Sequence, residues 1–137
     1  MLVGLTFVLM LSFATSAYAQ STVGTAYRDV GVGEAQLGKP FAWGTDGPYT
    51  FSCSGLMRYI LSVTGVDAYA PWIPEAYLGR YAPVSYGNLR PGDIVIYPGW
   101  ATMYVGNGMV LNANAWKGYV TETPMIYAGR PLGIVRP

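Results

Sequence analysis

Apolar residues recur at helical spacing in one segment of the chain, residues 54–64. Its apolar positions fall on one face, so the segment is predicted to form an amphipathic helix that ends at Gly65. This face comprises Leu56, Met57, Ile60, Leu61 and Thr64. A shorter helix is predicted over residues 33–37, because Gly38 and Pro40 directly after it would stop a helix.

The second half of the chain carries short apolar runs separated by turn residues, a pattern typical of strands. A buried strand is predicted over residues 94–97, after a turn at residues 89–93. Residues 101–105 and 109–113 are predicted to pair as a hairpin through Gly106-Asn107-Gly108. Two further strands are predicted at residues 119–123 and 132–135. A helix followed by several short antiparallel strands predicts an α+β domain.

Two segments between these elements are rich in glycine, proline and polar residues. Residues 41–51 are predicted to form a loop. Residues 67–83 are predicted to form a connection with one helical turn at residues 74–78.

The first nineteen residues have the pattern of a cleavable signal peptide. An apolar run is followed by Ala17-Tyr18-Ala19, which matches the small-x-small cleavage site of export signals. The run is too short for an ordinary membrane span of about 20 residues. We therefore predict a signal peptide over residues 1–19 and a single exported domain over residues 20–137, with no membrane span. An uncleaved anchor or a buried helix is the alternative for the first segment.

Composition excludes several function classes for this chain of 137 residues. Hydrophobic residues make up 52% and charged residues 11%, which argues against disorder. The formal net charge is +1 without a basic stripe, so nucleic acid is not an expected partner. Without histidine and with one cysteine, the chain offers no imidazole base and no internal disulfide. The seven carboxylates are scattered, so neither a metal site nor a cofactor is expected.

The single cysteine, Cys53, stands where a loop enters the predicted main helix. Unpaired backbone N–H groups and the helix dipole stabilise a thiolate at such a position, and the same N–H groups can bind an oxyanion. Ser52 or Ser54 would serve as the helix N-cap. The alternative is that Cys53 is a small buried apolar side chain.

Five segments of the chain carry recognisable motifs in a fixed order. They are Ala-Gln-Leu-Gly-Lys-Pro-Phe-Ala-Trp-Gly at 35–44, Phe-Ser-Cys-Ser-Gly-Leu at 51–56, Leu-Arg-Pro-Gly-Asp-Ile-Val at 89–95, Met-Tyr-Val-Gly-Asn-Gly at 103–108 and Tyr-Ala-Gly-Arg at 127–130. Together they resemble the NlpC/P60 family. The resemblance implies a papain-like α+β fold, with N-terminal helices packed on a central antiparallel sheet of about five or six strands. It also implies secreted cysteine peptidases that cut peptidoglycan stem peptides at γ-D-glutamyl-diamino acid bonds.

The chain departs from the family pattern at three positions that carry the chemistry. Trp100 stands where the family has its catalytic histidine, and an indole can only donate a hydrogen bond. Ser52 replaces an aspartate before the nucleophile, and Phe41 replaces a tyrosine. The nucleophile Cys53 remains, and Asn112 occupies the place of the family's third polar residue.

These departures predict a pseudoenzyme, or an impaired hydrolase, that keeps a peptidoglycan-binding groove. Its expected ligand is a stem peptide or a glycan-peptide fragment. The expected catalytic positions are Cys53 and Asn112, and the expected substrate contacts are Phe41, Trp43, Ser52, Ser54 and Trp100. An active thiol hydrolase or acyltransferase using Cys53 is the alternative, and a secreted interaction protein unrelated to the cell wall is a third possibility.

Two further sets of residues are left open by the sequence. One set of aromatic residues could line the same groove or pack in the core: Trp43, Trp72, Tyr77, Tyr81 and Trp116. The second set contains weak substitutes for the missing base: Tyr97, Asp46 and Asp93.

Overall fold

A computed structural model describes Gly4 and residues 23–137 of the protein. The segment predicted as a signal peptide therefore lies outside the described residues, apart from Gly4. The helices are α1 (Val23–Glu34) and α2 (Cys53–Val63), with 3-10 helices at Pro74–Gly79, Tyr86–Asn88 and Met125–Tyr127. The strands are β1 (Ala82–Pro83), β2 (Ile94–Tyr97), β3 (Trp100–Gly106), β4 (Met109–Asn114), β5 (Tyr119–Pro124) and β6 (Gly133–Arg136). No helix of this described part is long and apolar enough to cross a membrane.

The six strands form one antiparallel sheet in the order β1-β6-β2-β3-β4-β5. Strands β2 to β5 follow one another as hairpins, and β6 returns to pair with the free edge of β2. The predicted α+β class, with N-terminal helices on an antiparallel sheet of about five or six strands, is confirmed.

Helix α2 covers one face of the sheet and supplies much of the core. Leu56, Met57, Ile60 and Leu61 are completely buried, as their helical spacing predicts. They pack against alternate residues of the central strands, which belong to the same apolar cluster: Ile94, Ile96, Ala101, Met103, Leu111 and Ala113. The intervening residues form a smaller cluster that includes Val95, Tyr97, Val110 and Ile134. This alternation follows from the two-residue period of a strand.

Helix α1 differs from the prediction, which placed a short helix at residues 33–37. The helix instead spans Val23–Glu34, and residues 35–38 form the turn after it. Gly31 and Gly33 lower the intrinsic helix propensity of this segment, so its pattern is weak. Close packing explains the glycine at position 33, because a Cβ atom there would collide with the side chains of Leu111 and Ile60.

Strand β1 was not predicted, because Ala82–Pro83 lies inside the segment expected to be a connection. It is a two-residue edge strand that pairs with Val135 and Arg136 of β6. Proline lacks an N–H donor and is confined to such edges, so the sequence there does not resemble a strand. The other strands and α2 lie within one residue of the predicted bounds.

A buried carboxyl group lies between the two helices and makes the stability of the protein dependent on pH. Asp29 of α1 is 1% exposed, and its Oδ1 atom has no hydrogen-bond partner among the described residues. Burial raises the pKa of Asp29, although the Thr64 hydroxyl and Arg28 partly offset this. The native state therefore binds this proton more tightly than the unfolded chain does. The corresponding stability is present below the unfolded pKa and is lost as the pH rises through the folded pKa.

Asp29→Asn is expected to raise the free energy of unfolding at pH 7 by about 1 kcal/mol, because it removes a buried charge. Urea unfolding of both proteins between pH 4 and pH 8 would measure this. The difference should shrink towards pH 4, where the wild-type carboxyl becomes protonated. A difference that stays constant with pH, or a less stable variant at pH 7, would contradict the expectation.

Candidate functional site

The N-terminus of α2 is built by Ser52, which is the N-cap residue of the helix. The Ser52 Oγ atom accepts a hydrogen bond from the Gly55 N–H at 3.1 Å and donates one to the Thr45 carbonyl at 3.1 Å. A serine side chain commonly satisfies an otherwise unpaired N–H group of the first helical turn in this way. The hydroxyl of Ser52 is therefore engaged within the protein.

The loop before α2 lies directly on the first turn of the helix at Gly55. The Thr45 carbonyl accepts hydrogen bonds from both the N–H and the hydroxyl of Ser52. A Cβ atom on Gly55 would collide with the same carbonyl group. The contact explains the glycine of the Cys-Ser-Gly motif: it lets the loop approach the backbone that holds the cysteine.

Cys53 is the first residue of α2 and is partly exposed. Within the described part of the chain, its thiol takes part in no disulfide. The side chain therefore stands at the positive end of the helix dipole and faces a cleft. This position suits a nucleophile, provided that a base can remove the thiol proton.

The cleft has a volume of about 280 Å³ and is bordered by the α2 N-terminus, the loop before α2, the β2–β3 turn and the β4–β5 hairpin. It is lined by Phe41, Trp43, Cys53, Gly99, Trp100, Asn112, Ala113, Asn114, Ala115 and Trp116. The structure thus brings together five of the site residues predicted from sequence: Phe41, Trp43, Cys53, Trp100 and Asn112. The buried serines Ser52 and Ser54 are not part of this lining.

None of the described residues that line the cleft has a charged side chain. Asn112 and Asn114 supply amide groups, and the indoles of Trp43, Trp100 and Trp116 supply flat apolar surfaces. Neither an amide nor an indole accepts a proton at neutral pH. Cys53 is therefore the one titratable residue in the lining.

Trp100 begins β3 directly after the turn between β2 and β3, and its side chain lines the cleft. Its ring stacks on that of Tyr97, with a centroid distance of 4.5 Å and an interplanar angle of 21°. The neighbouring Gly99 N–H donates a hydrogen bond to the Glu75 carboxylate at 2.6 Å, which anchors the turn. The indole is therefore packed into the wall of the cleft.

Asn112 is completely buried on β4 beside the cleft. Its Nδ2 atom donates hydrogen bonds to Thr123 Oγ1 at 3.1 Å and to the Val110 carbonyl at 3.3 Å. Its Oδ1 atom has no partner among the described residues. Buried acceptors are usually hydrogen-bonded, and this atom is one of five buried side-chain atoms that lack a partner among the described residues.

The substitute bases considered from sequence lie outside the cleft lining. Asp46 forms an ion pair with Arg58 at 3.4 Å, and Asp93 is buried in a pair with Arg136 at 2.8 Å. Burial raises the pKa of Tyr97 to about 12, and nearby Tyr86 adds to this effect. Tyr97 therefore stays protonated at neutral pH.

Three of the aromatic residues left open by the sequence do not line the cleft. Tyr77 is completely buried in the core, and burial raises the pKa of its hydroxyl. Trp72 lies over the Arg58 guanidinium at 4.3 Å, and the Tyr81 hydroxyl donates to Asp67 at 2.6 Å. Trp43 and Trp116 do line it.

Sequence reasoning missed Asn114, which lines the cleft. A signal was present, because the Asn-x-Asn-x-Trp alternation from residue 112 to 116 places these polar and aromatic residues at one hairpin end.

Comparison with known proteins gives a consistent result. A sequence model of the NlpC/P60 family matches residues 38–128. The chain is 34% identical over 103 residues to a protein of Corynebacterium glutamicum named probable endopeptidase, covering 73% of this chain and 48% of that protein. It is 35% identical over 92 residues to probable endopeptidase p60 of Listeria monocytogenes, covering 60% of this chain and 18% of that protein. The chain thus spans about half the length of the first relative and less than a fifth of the second.

Solved structures share the fold. The peptidoglycan hydrolase RipB from Mycobacterium tuberculosis matches with a TM-score of 0.72 and 27% identity, over 82% of this chain and 64% of that chain. NlpC1 from Trichomonas vaginalis matches with a TM-score of 0.75 and 22% identity, over 85% of this chain and 45% of that chain. At the latter identity the likeness concerns the fold alone.

Proposed function

Because the chain belongs to the NlpC/P60 family, we propose that it is an exported cell-wall protein that binds peptidoglycan fragments without cutting them at the usual rate of a cysteine peptidase. In this proposal residues 1–19 are its signal peptide and residues 20–137 form an NlpC/P60-like domain. Export is supported by the apolar segment that ends in Ala17-Tyr18-Ala19. A peptidoglycan ligand is supported by the family and by the likeness to a peptidoglycan hydrolase.

One observation supports the loss of turnover: among the described residues, none that shares the cleft with Cys53 can accept the thiol proton. A cysteine peptidase needs a base to form the thiolate, and the protonated base then protonates the leaving amine. Trp100 stands at the family's histidine position, and its indole supports neither step. Removal of the base from a hydrolytic triad costs several orders of magnitude in rate.

Asn112, at the position of the family's third polar residue, also supports the loss of the catalytic imidazole. In a triad the third residue orients the imidazole by accepting its N–H. The Oδ1 atom of Asn112 is buried beside the cleft without a hydrogen-bond donor. A triad that keeps its third residue and loses its imidazole would leave an acceptor unpaired in this way, which is consistent with the proposal.

Binding is tested by sedimentation with purified, insoluble peptidoglycan. Most of the protein is expected in the pellet, and Cys53→Ala should sediment to the same extent because binding does not need the sulfur. Protein that stays in the supernatant, whatever the peptidoglycan source, would contradict a cell-wall function.

A second candidate function, an active thiol hydrolase or acyltransferase with altered specificity, is favoured by the position of Cys53. The residue begins a helix and lines an open cleft, where its thiol is accessible to an acyl substrate. Cleavage or acyl transfer that depends on Cys53 would favour this candidate over the first.

A further inference from the structure

Two tryptophans at the cleft are exposed to an extent that packing does not explain. Trp43 is 79% exposed and Trp116 is 99% exposed. Large aromatic side chains dominate the energetics of binding surfaces, and indoles left in water next to a cleft indicate a contact surface. Trp100 adds a third, half-buried indole to the same wall.

The backbone turn that carries Trp116 is held in place by Asn114. The Asn114 Oδ1 atom accepts hydrogen bonds from the N–H groups of Trp116 and Lys117, both at 2.9 Å. The Asn114 carbonyl also accepts from the Gly118 N–H at 2.8 Å. The turn is therefore ordered by its own hydrogen bonds, although the indole itself is almost fully exposed.

The loop that carries Trp43 is joined to the same hairpin. The Phe41 N–H donates to the Gly118 carbonyl at 2.9 Å, so the two loops are hydrogen-bonded to each other. The ring of Phe41 also packs edge-on against Trp43, with a centroid distance of 4.8 Å. The two exposed indoles thus stand on backbone segments that are hydrogen-bonded to each other, and both line the cleft that contains Cys53. This pre-ordering lowers the entropy cost of binding.

The chemistry of the cleft distinguishes between the two components of peptidoglycan. Stem peptides carry carboxylates and a free amine, which proteins bind with charged partners such as arginine and aspartate. The lining here has no charge and offers indoles and amides. The C–H faces of a pyranose ring stack on indoles, while its hydroxyl and acetamido groups bond to amides.

The cleft also has a suitable size and a free polar group. Its volume of about 280 Å³ lies just below the usual range of small-molecule sites, about 300–1,000 Å³, and so accepts a small ligand. Since the Oδ1 atom of Asn114 is already bonded within the turn, its amide N–H groups remain as the donors for a ligand oxygen.

We propose that this cleft binds the glycan of the cell wall, with an N-acetylhexosamine ring stacked on Trp43 and Trp116 and hydrogen-bonded by Asn114. The assignment rests on the peptidoglycan-binding function proposed above and names the part of the polymer that is recognised. Trp100, at the position where the family has its catalytic base, lines the same cleft.

The direct test is calorimetric titration of the purified protein with the tetramer of N-acetylglucosamine, which carries no peptide. A sugar-free stem peptide is titrated in parallel, and both are tested as competitors in the sedimentation experiment. The tetramer is expected to bind and to release the protein from peptidoglycan, while the peptide does neither.

Trp43→Ala and Trp116→Ala are each expected to weaken binding of the tetramer about 10-fold or more, because each removes a stacking surface. The matched control is Tyr127→Ala, since Tyr127 is 81% exposed and lies outside the cleft. This control should bind like the wild type. Both tryptophans are exposed, so their removal should leave the fold and its unfolding transition unchanged.

The outcomes separate the glycan assignment from the proposed function. Sedimentation with peptidoglycan that only the stem peptide reverses would overturn the assignment and leave the function standing. Binding of the tetramer without sedimentation would support the sugar site and overturn the cell-wall function. Self-association that Trp116→Ala abolishes, without sugar binding, would overturn the assignment because the indoles would then form a protein interface.

Discussion

Gly55→Ala is expected to destabilise the protein by about 4 kcal/mol or more, or to prevent folding. The added Cβ atom would collide with the Thr45 carbonyl, which is backbone and is fixed by two hydrogen bonds from Ser52. Either the loop or the first turn of α2 must therefore move, and both hold Cys53 in place. Denaturant unfolding of the variant and the wild type measures the loss of stability.

The matched control is Gly31→Ala, a substitution of the same kind within a helix. A Cβ atom on Gly31 meets nothing within 4 Å, so the change should stabilise α1 by up to about 1 kcal/mol. Equal unfolding midpoints for Gly55→Ala and the wild type would show that the loop does not hold the helix start as described.

The second large effect is a gain of activity in a repaired variant that combines Trp100→His, Ser52→Asp and Phe41→Tyr. An imidazole at position 100 would supply the proton acceptor that the cleft lacks, and Asn112 Oδ1 is the buried acceptor that could orient it. Aspartate is also a good N-cap and can accept the Gly55 N–H bond, although it loses the hydrogen bond that the Ser52 hydroxyl donates to the Thr45 carbonyl. Cleavage of muropeptides is expected to rise at least about 100-fold over the wild type, since a positioned base contributes about 10²–10⁴-fold.

The control for this variant carries Trp100→Ala with the same two other changes. It removes the bulk of the indole without adding a base, and it should cleave no faster than the wild type. Equal gains with alanine and histidine would mean that Trp100 acts by blocking the cleft. The account of a missing base would then be wrong.

Local patterns predicted most of the fold. The apolar face of α2 and the alternation in β2 to β4 arise from short-range periodicity, which the sequence displays directly. Helix α1 could not be predicted, because its glycines weaken the local helix pattern. The reason for Gly33 is its close approach to Leu111 and Ile60, which lie on other elements. The edge strand Ala82–Pro83 owes its conformation to β6 and carries no strand pattern of its own.

The candidate site was predictable where a motif fixed the position. The family resemblance indicated Cys53, Trp100 and Asn112, and the structure places all three at one cleft. It could not indicate which aromatic residues share the cleft, since that depends on how loops from distant parts of the chain meet. Tyr77 thus lies in the core, while Trp116 is brought to the cleft by the β4–β5 hairpin. Ser52, expected to contact substrate, uses its hydroxyl as the helix cap.

The most direct test of the missing base is a digest of soluble muropeptides by the wild-type protein and by Cys53→Ala at neutral pH, followed by chromatography of the released stem-peptide fragments. Because the Cys53 thiol has no partner among the described cleft residues that accepts its proton, the wild-type protein should release no more stem-peptide fragments than Cys53→Ala does. Release that the wild type sustains through many turnovers and that Cys53→Ala abolishes would contradict the account.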